Sequence, residues 1–257
     1  MEGEGLNVIS KNQGCMDWGT VIRSLVMAGL FLGITGCQEQ PRFYTAPNGV
    51  TIMCPNAEAG DRGHVDGVEY EAVKEELLRR RRDEGANLRY VCTSLVTDMS
   101  SLFENSDFND DIGNWDVSNV NDMSWMFAYN KSFNQDISIW DTGNVTDMSH
   151  MFRHSAFWGD INFWDVSNVT DMSSMFESAE FVPDLSNWDV SGVTNMHAMF
   201  ISTPSVGDIS NWDVSNVTNM RLMFSNSHLM SDISSWDVSN VTDMSFMLNE
   251  ARFTGDI

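Results

Sequence analysis

Aspartate recurs at three fixed positions along the second half of this 257-residue chain, and carboxylates at that spacing could bind calcium. Carboxylate oxygens are ligands that Ca²⁺ prefers in proteins. The calcium candidates are the aspartates that each follow a regularly spaced tryptophan: Asp116, Asp141, Asp165, Asp189, Asp213 and Asp237. In another column, which precedes a methionine, Asn195 and Asn219 replace aspartate. Asparagine caps a turn as aspartate does, so the pattern favours capping, and calcium stays an alternative.

The tryptophans that carry this pattern define a tandem repeat. They are Trp115, Trp140, Trp164, Trp188, Trp212 and Trp236, at intervals of 25 residues once and 24 thereafter. A strict period in this range is typical of stacked coils, in which no unit can bury its own apolar face. Apolar residues at fixed repeat positions usually face inward, so we expect the tryptophans in the core. Stacking against sugars is the alternative.

Two apolar spacings within each unit predict its secondary structure. Trp212 and Val214 alternate with Asp213, as in a short strand with one buried face. Val217, Met220 and the pair Met223-Phe224 then follow a helical stripe. The predicted fold is therefore an α/β repeat solenoid, leucine-rich-repeat-like, with a short strand and a short helix in each coil of about 24 residues.

The sequence contains no pattern of residues that indicates catalysis. His150 and His154 have the spacing of two metal ligands on a helix, but no third ligand recurs beside them. We found no glycine-rich phosphate loop, nucleophile elbow or catalytic triad pattern. The sequence predicts that the protein is not an enzyme, has no catalytic residues, and needs no cofactor other than the calcium considered above.

The strongly negative net charge of the chain restricts the molecules that it can bind. The formal net charge is −23, and residues 97–257 hold 24 acids against four bases, a net charge of −20. A surface this acidic repels phosphate backbones and favours cations or basic partners. We therefore expect a protein or cell-surface ligand, and neither nucleic acid nor a small-molecule substrate.

The beginning of the chain has the features of an exported lipoprotein. Residues 24–34 form an uncharged apolar run, too short to span a bilayer but suited to a signal-peptide core. The run ends in Ile34-Thr-Gly-Cys37, which resembles the bacterial lipobox, where the cysteine is acylated. We expect residues 1–37 to be a signal peptide with its lipobox, Cys37 to carry the lipid, and residues 38–48 to be a tether to the membrane.

Residues 49–95 are predicted to cap the array that occupies residues 96–257, because stacked repeats need their ends covered. An Asp-Gly pair within residues 64–70 indicates a hairpin, and residues 72–82 read as a helix that ends in the basic run Arg79–Arg82. Cys54 and Cys92 form a disulfide if the chain is exported; otherwise they are two buried thiols. The chain ends where another unit would begin, and we expect the array to be truncated there.

The repeat phrase also resembles that of a known family. Residues 164–176 read Trp-Asp-Val-Ser-Asn-Val-Thr-Asp-Met-Ser-Ser-Met-Phe. This phrase is similar to the repeat of BspA-like leucine-rich-repeat surface proteins, which is also found in mycoplasmal surface lipoproteins of unknown function. The resemblance implies a leucine-rich-repeat-type solenoid on the cell surface, with adhesion or protein binding, and it brings no catalytic residues.

These observations together predict a bacterial surface lipoprotein, anchored by lipid in the outer membrane or cell envelope. Its acidic repeat array would act as a protein-binding or adhesion module. The alternative is a calcium-dependent structural or glycan-binding surface module that uses the aspartate and tryptophan columns.

Overall fold

Short strands and turns make up most of the chain in the computed structural model, which describes residues 41–253. The compact unit considered below begins at Arg42. β1 (Tyr44–Thr45) pairs antiparallel with β2 (Ile52–Met53), and a second small sheet has the order β3-β4-β5. Its strands are β3 (Arg62–Val65), β4 (Val68–Ala72) and β5 (Val91–Cys92). Helix α1 (Glu75–Asp83) and a 3₁₀ turn (Leu88–Tyr90) lie between β4 and β5, and β6 (His228–Leu229) pairs parallel with β7 (Arg252–Phe253).

The predicted hairpin is confirmed. β3 and β4 pair antiparallel, with Val65 opposite Val68. Asp66 and Gly67 form the turn between them, with φ of 50° and 82°. Both values lie in the left-handed region, which glycine and aspartate tolerate better than most residues. The Asp-Gly pair therefore directs this local fold, and β4 continues the sheet by pairing parallel with β5.

Helix α1 contacts the beginning of the array. One carboxylate oxygen of Glu75 accepts hydrogen bonds from the backbone N–H of Thr97 (2.7 Å) and from its hydroxyl (2.9 Å). At the other end of α1, the Arg82 guanidinium donates to the backbone carbonyl of Leu102 (2.6 Å). Arg82 thus binds a carbonyl of the first unit, where no earlier unit supplies the backbone N–H that binds the equivalent carbonyl in later units.

Backbone hydrogen bonds join each unit of the array to the next. The N–H groups of Met148, His150, Phe152 and His154 donate to carbonyls of the following unit at 2.8 to 3.0 Å. In the other units that another unit follows, too, every second N–H of this segment donates to the following unit. A parallel bridge of single residues also runs from unit to unit through Asp98, Asp122, Asp147, Asp171, Asn195, Asn219 and Asp243.

The predicted α/β repeat solenoid of the leucine-rich-repeat type is wrong. The one α-helix of residues 41–253, α1, precedes the array, and the strands belong to three small sheets. The segments expected to form a strand and a helix in each unit are turns and irregular chain. Within them, His150 and His154 have φ of 60° and 52°, values that an α-helix cannot contain. Alternate N–H groups point to the neighbouring unit, so they cannot bond to the carbonyl four residues back.

The apolar side chains nevertheless form one continuous core. Equivalent phenylalanines of successive units stack, as Phe152 and Phe176 do with ring centroids 5.8 Å apart. Equivalent indoles stack in the same way, at 6.2 Å between Trp140 and Trp164. The methionines of the repeat phrase are buried beside them, except Met244 of the last unit, which is 42% exposed. The helical stripe expected from the sequence therefore identified buried residues correctly, although it assigned them the wrong backbone.

No helix among residues 41–253 is long and apolar enough to cross a membrane. The predicted signal peptide, its lipobox and Cys37 lie outside the residues that the structure describes.

Candidate functional site

The tryptophan column lies inside the array. All six indoles are buried: Trp115, Trp140, Trp164, Trp188, Trp212 and Trp236. The first five donate from Nε1 to a backbone carbonyl of the preceding segment at 3.0 to 3.3 Å. Trp188, for example, donates to Ile161. The first five rings are at most 4% exposed, so stacking of these tryptophans on sugars has no support in this geometry.

The aspartate columns cap the turns that follow them. Oδ1 of Asp165 accepts hydrogen bonds from the backbone N–H of Ser167 (3.0 Å) and from its hydroxyl (2.6 Å). These bonds, the hydroxyl's first, lower the pKa of the Asp165 carboxyl. The corresponding backbone bond forms at every calcium candidate: Asp116, Asp141, Asp165, Asp189, Asp213 and Asp237.

Asparagine performs the same task in the column before the methionines. Oδ1 of Asn195 accepts from the N–H of His197 (3.1 Å), as Oδ1 of Asp171 does from Ser173 (2.7 Å). Among residues 41–253, no three His, Cys, Asp or Glu side chains come together in a group that could hold a metal ion. Calcium binding by these columns remains a prediction.

A separate asparagine ladder ties each unit to the one before it. The Asn168 amide donates to the backbone carbonyl of Gly143 (2.7 Å), 25 residues earlier in the chain. Equivalent bonds of 2.6 to 2.8 Å come from Asn119, Asn144, Asn216 and Asn240. The ladder is structural, since its donors point along the stack rather than outward.

Cys54, which directly follows β2, and Cys92 of β5 form a disulfide. Both residues are fully buried. The bond closes a loop with a sequence separation of 38 residues and fixes the segment before the array against the strand that leads into it.

One surface cluster differs from the repeat pattern, and we call it the aromatic patch. It consists of Trp125, Tyr129, His150, Arg153 and His154. The His150 ring stacks on Trp125 with centroids 4.0 Å apart, and His154 stacks on Tyr129 at 4.8 Å. The Arg153 guanidinium lies 5.5 Å from the Trp125 ring centroid and 5.6 Å from that of Tyr129. These distances allow cation–π attraction to both rings.

Ion pairs and burial keep the patch close to neutral. Arg153 binds the carboxylate of Glu177 at 2.8 Å, and the nearby Lys131 binds Glu180 at 2.9 Å. Burial, and then the charge of Arg153, lower the pKa of His150 and of His154. Both imidazoles are therefore mostly uncharged at pH 7. The pair predicted as possible metal ligands instead packs against aromatic rings.

Sequence reasoning missed the patch as a unit, although a signal was present. Trp125 and Tyr129 occupy repeat positions where the preceding unit has Ser101 and Asn105. The two histidines occupy the same positions in the next unit. All these positions have left-handed φ, which suits small polar residues better than bulky ones. Comparison of the units for large side chains at these positions would have found four of the five members.

The described chain is thus a tandem-repeat protein with a buried aromatic ladder and an acidic exterior. A family model described as "Mycoplasma protein of unknown function, DUF285" matches residues 75–182 and again residues 179–257. The chain belongs to this family. A search of curated proteins and a search of solved structures find no match.

Proposed function

We propose that this chain is a bacterial cell-surface lipoprotein whose acidic repeat array binds proteins or other cell-surface ligands. Cys37 would carry the lipid and hold the protein on the membrane. The array would project outward as an adhesion module. This role agrees with the resemblance of the repeat phrase to BspA-like surface proteins, which we also put forward as part of the proposal.

The contrast between interior and exterior of the array carries this proposal. The interior repeats the same tryptophan, methionine and phenylalanine positions in unit after unit. The exterior varies, and at the aromatic patch it replaces small polar residues with aromatic and basic ones. A regular framework with a varied surface supports binding rather than catalysis, because function in repeat proteins usually resides on the exposed surface.

Labelling with radioactive palmitate in the native bacterium tests the anchor. We expect the full chain to incorporate label, and Cys37→Ser to lose it. Cys15→Ser, which changes another leader cysteine, is the matched control and should be labelled normally. Incorporation by Cys37→Ser at the level of the parent would contradict the lipobox assignment.

Adhesion is tested with bacteria that lack or carry the gene, added to cultured host-cell monolayers at low and physiological salt. Specific binding should survive at 0.15 M salt, where the Debye length is about 8 Å and general charge attraction is weak. Equal attachment of both strains would contradict the adhesion role. Protease treatment of intact cells, which should degrade an outward-facing array, reports the location independently.

A further inference from the structure

The aromatic patch departs from the adjoining units at two left-handed positions, the first of which also carries Leu222 and Phe246 in later units. Four large rings occupy left-handed positions where the units on either side carry Ser101, Asn105, Ser174 and Ser178. Holding bulky residues at positive φ costs of order 1 kcal/mol each. Small residues in the neighbouring units show that the framework does not need rings there. The framework alone therefore does not account for four rings in two adjacent units.

The accessible parts of the patch combine apolar faces with hydrogen-bonding groups. Tyr129 is 39% exposed, while Trp125, His150, Arg153 and His154 are each partly exposed. Arg153 uses Nη2 to bind Glu177, whereas its Nε is buried without a hydrogen-bond partner among residues 41–253 and does not face solvent. Aromatic rings beside a guanidinium, imidazoles and a carboxylate present C–H-binding faces next to both donors and acceptors.

The charge around the aromatic patch and the small area of the patch restrict the kind of ligand that it can bind. Arg153 of the patch is paired with Glu177 and the nearby Lys131 with Glu180. The surrounding array carries most of the chain's negative charge, so an anionic ligand is disfavoured. The patch extends over only two units. A stable protein interface buries about 800 Å² on each partner, more than five side chains offer. A neutral ligand about the size of one or two hexose rings fits these limits.

We propose that the aromatic patch binds a neutral carbohydrate. A pyranose ring would place its C–H face against Trp125 or Tyr129, and its hydroxyls would exchange hydrogen bonds with Arg153, Glu177 and the imidazoles. This inference extends the proposed adhesion role by naming a ligand class, and it differs from the earlier expectation that the buried tryptophan column stacks on sugars. The binding itself depends on neither lipidation nor location.

Saturation-transfer NMR and calorimetry test the proposal with N-acetyllactosamine and maltotriose as neutral probes and 3′-sialyllactose as the anionic one. The full chain is purified in a detergent without a sugar head group. We expect at least one neutral probe to bind with a dissociation constant in the range of about 0.1 to 1 mM, and the anionic probe to bind more weakly. Trp125→Ser and Tyr129→Asn should each weaken binding by about tenfold.

These variants place the residues of neighbouring units at the two positions, so they are compatible with the repeat backbone. Trp158→Asn is the matched control: Trp158 is 65% exposed, lies outside the patch, and has Asn134 as its counterpart one unit earlier. It should bind as the parent does. Circular dichroism establishes that every variant is folded.

Two outcomes would overturn the inference. One is the absence of binding to all three probes at 10 mM by the folded parent chain. The other is unchanged sugar binding in Trp125→Ser and Tyr129→Asn. If bacteria with these variants lose attachment while no sugar binds, the patch recognises protein, and the adhesion role survives without the carbohydrate. If the patch variants lose sugar binding while bacteria that lack and carry the gene attach equally, the carbohydrate proposal stands and the adhesion role fails.

Discussion

The indole Nε1 of Trp164 donates a hydrogen bond to the backbone carbonyl of Ile137, 3.1 Å away and 27 residues earlier in the chain. The bond joins two units through their core, where neither group can reach water. Replacement of Trp164 by phenylalanine removes this donor, while the carbonyl keeps the hydrogen bond from the backbone N–H of Trp140 (3.2 Å). We therefore expect a loss of about 0.5 to 1.5 kcal/mol of unfolding free energy for the indole hydrogen bond, besides the loss from reduced packing.

Trp236 provides the control for this prediction, because its Nε1 is buried without a partner among residues 41–253. Trp236→Phe loses packing but no hydrogen bond. Urea unfolding followed by circular dichroism should show the larger loss for Trp164→Phe. Equal losses in the two variants would mean that the indole hydrogen bond contributes nothing.

Acid should destabilise the array through its aspartate caps. Hydrogen bonds from Ser167, Ser215 and Ser239 lower the folded-state pKa values of Asp165, Asp213 and Asp237 below the ordinary value of 3.8. A depressed folded pKa contributes stability above the unfolded pKa, and this contribution is lost as the pH falls through the folded pKa. The melting temperature should therefore fall as the pH drops below about 4.

Combined replacement of these three aspartates by asparagine tests the cause. Asparagine keeps the cap, as Asn195 does with His197, but does not titrate. The triple variant should be less sensitive to acid than the parent, while unfolding near pH 7 changes little. An identical pH profile for parent and variant would show that other groups control acid unfolding.

The asparagine ladder should contribute measurably to stability. Asn168→Ala removes the hydrogen bond to Gly143 and should cost about 0.5 to 1.5 kcal/mol. Asn187→Ala is a matched control, since Asn187 is also exposed and its side chain makes no hydrogen bond within residues 41–253. Chemical denaturation of both variants gives the comparison, and a cost for Asn187→Ala as large as that for Asn168→Ala would contradict the ladder.

Arg82 should matter more than its neighbour Arg80. The Arg82 guanidinium binds the carbonyl of Leu102. The equivalent carbonyls of later units, such as that of Met126, accept a backbone N–H from the unit before them. We expect Arg82→Met to lose about 1 kcal/mol, because the hydrogen bond is charge-assisted but only part-buried. Arg80→Met, at an exposed position, should be close to neutral in the same denaturation measurement.

The Cys54–Cys92 disulfide should stabilise the fold through the loop that it closes. The loop-entropy relation gives about 3 to 4 kcal/mol for a separation of this length. A reductant should therefore lower the urea midpoint of the parent. The double variant Cys54→Ala, Cys92→Ala should start lower and not respond, and a response in that variant would show that the reductant acts elsewhere.

The hairpin and α1 could be predicted because their signals are local. Asp66-Gly67 supplies the left-handed turn directly, and α1 begins with acidic residues and ends with basic ones, as the helix dipole favours. The wrong assignment inside the repeats has a non-local cause. The N–H of Met148 bonds to Asp171, 23 residues later, so its partner depends on a neighbouring unit that a local spacing rule does not include.

By itself, the sequence determined the repeat period, the identity of the buried side chains and the capping role of its aspartates and asparagines. A regular spacing of apolar residues predicts which side chains are buried, even when the backbone conformation is not the expected one. A cap joins residues only two positions apart, so it can be recognised locally. Only the tertiary structure decided the backbone of each unit, the carbonyl bound by Arg82 and the assembly of the aromatic patch. Each of these depends on which groups of separate units meet, and the stacking of the units fixes that.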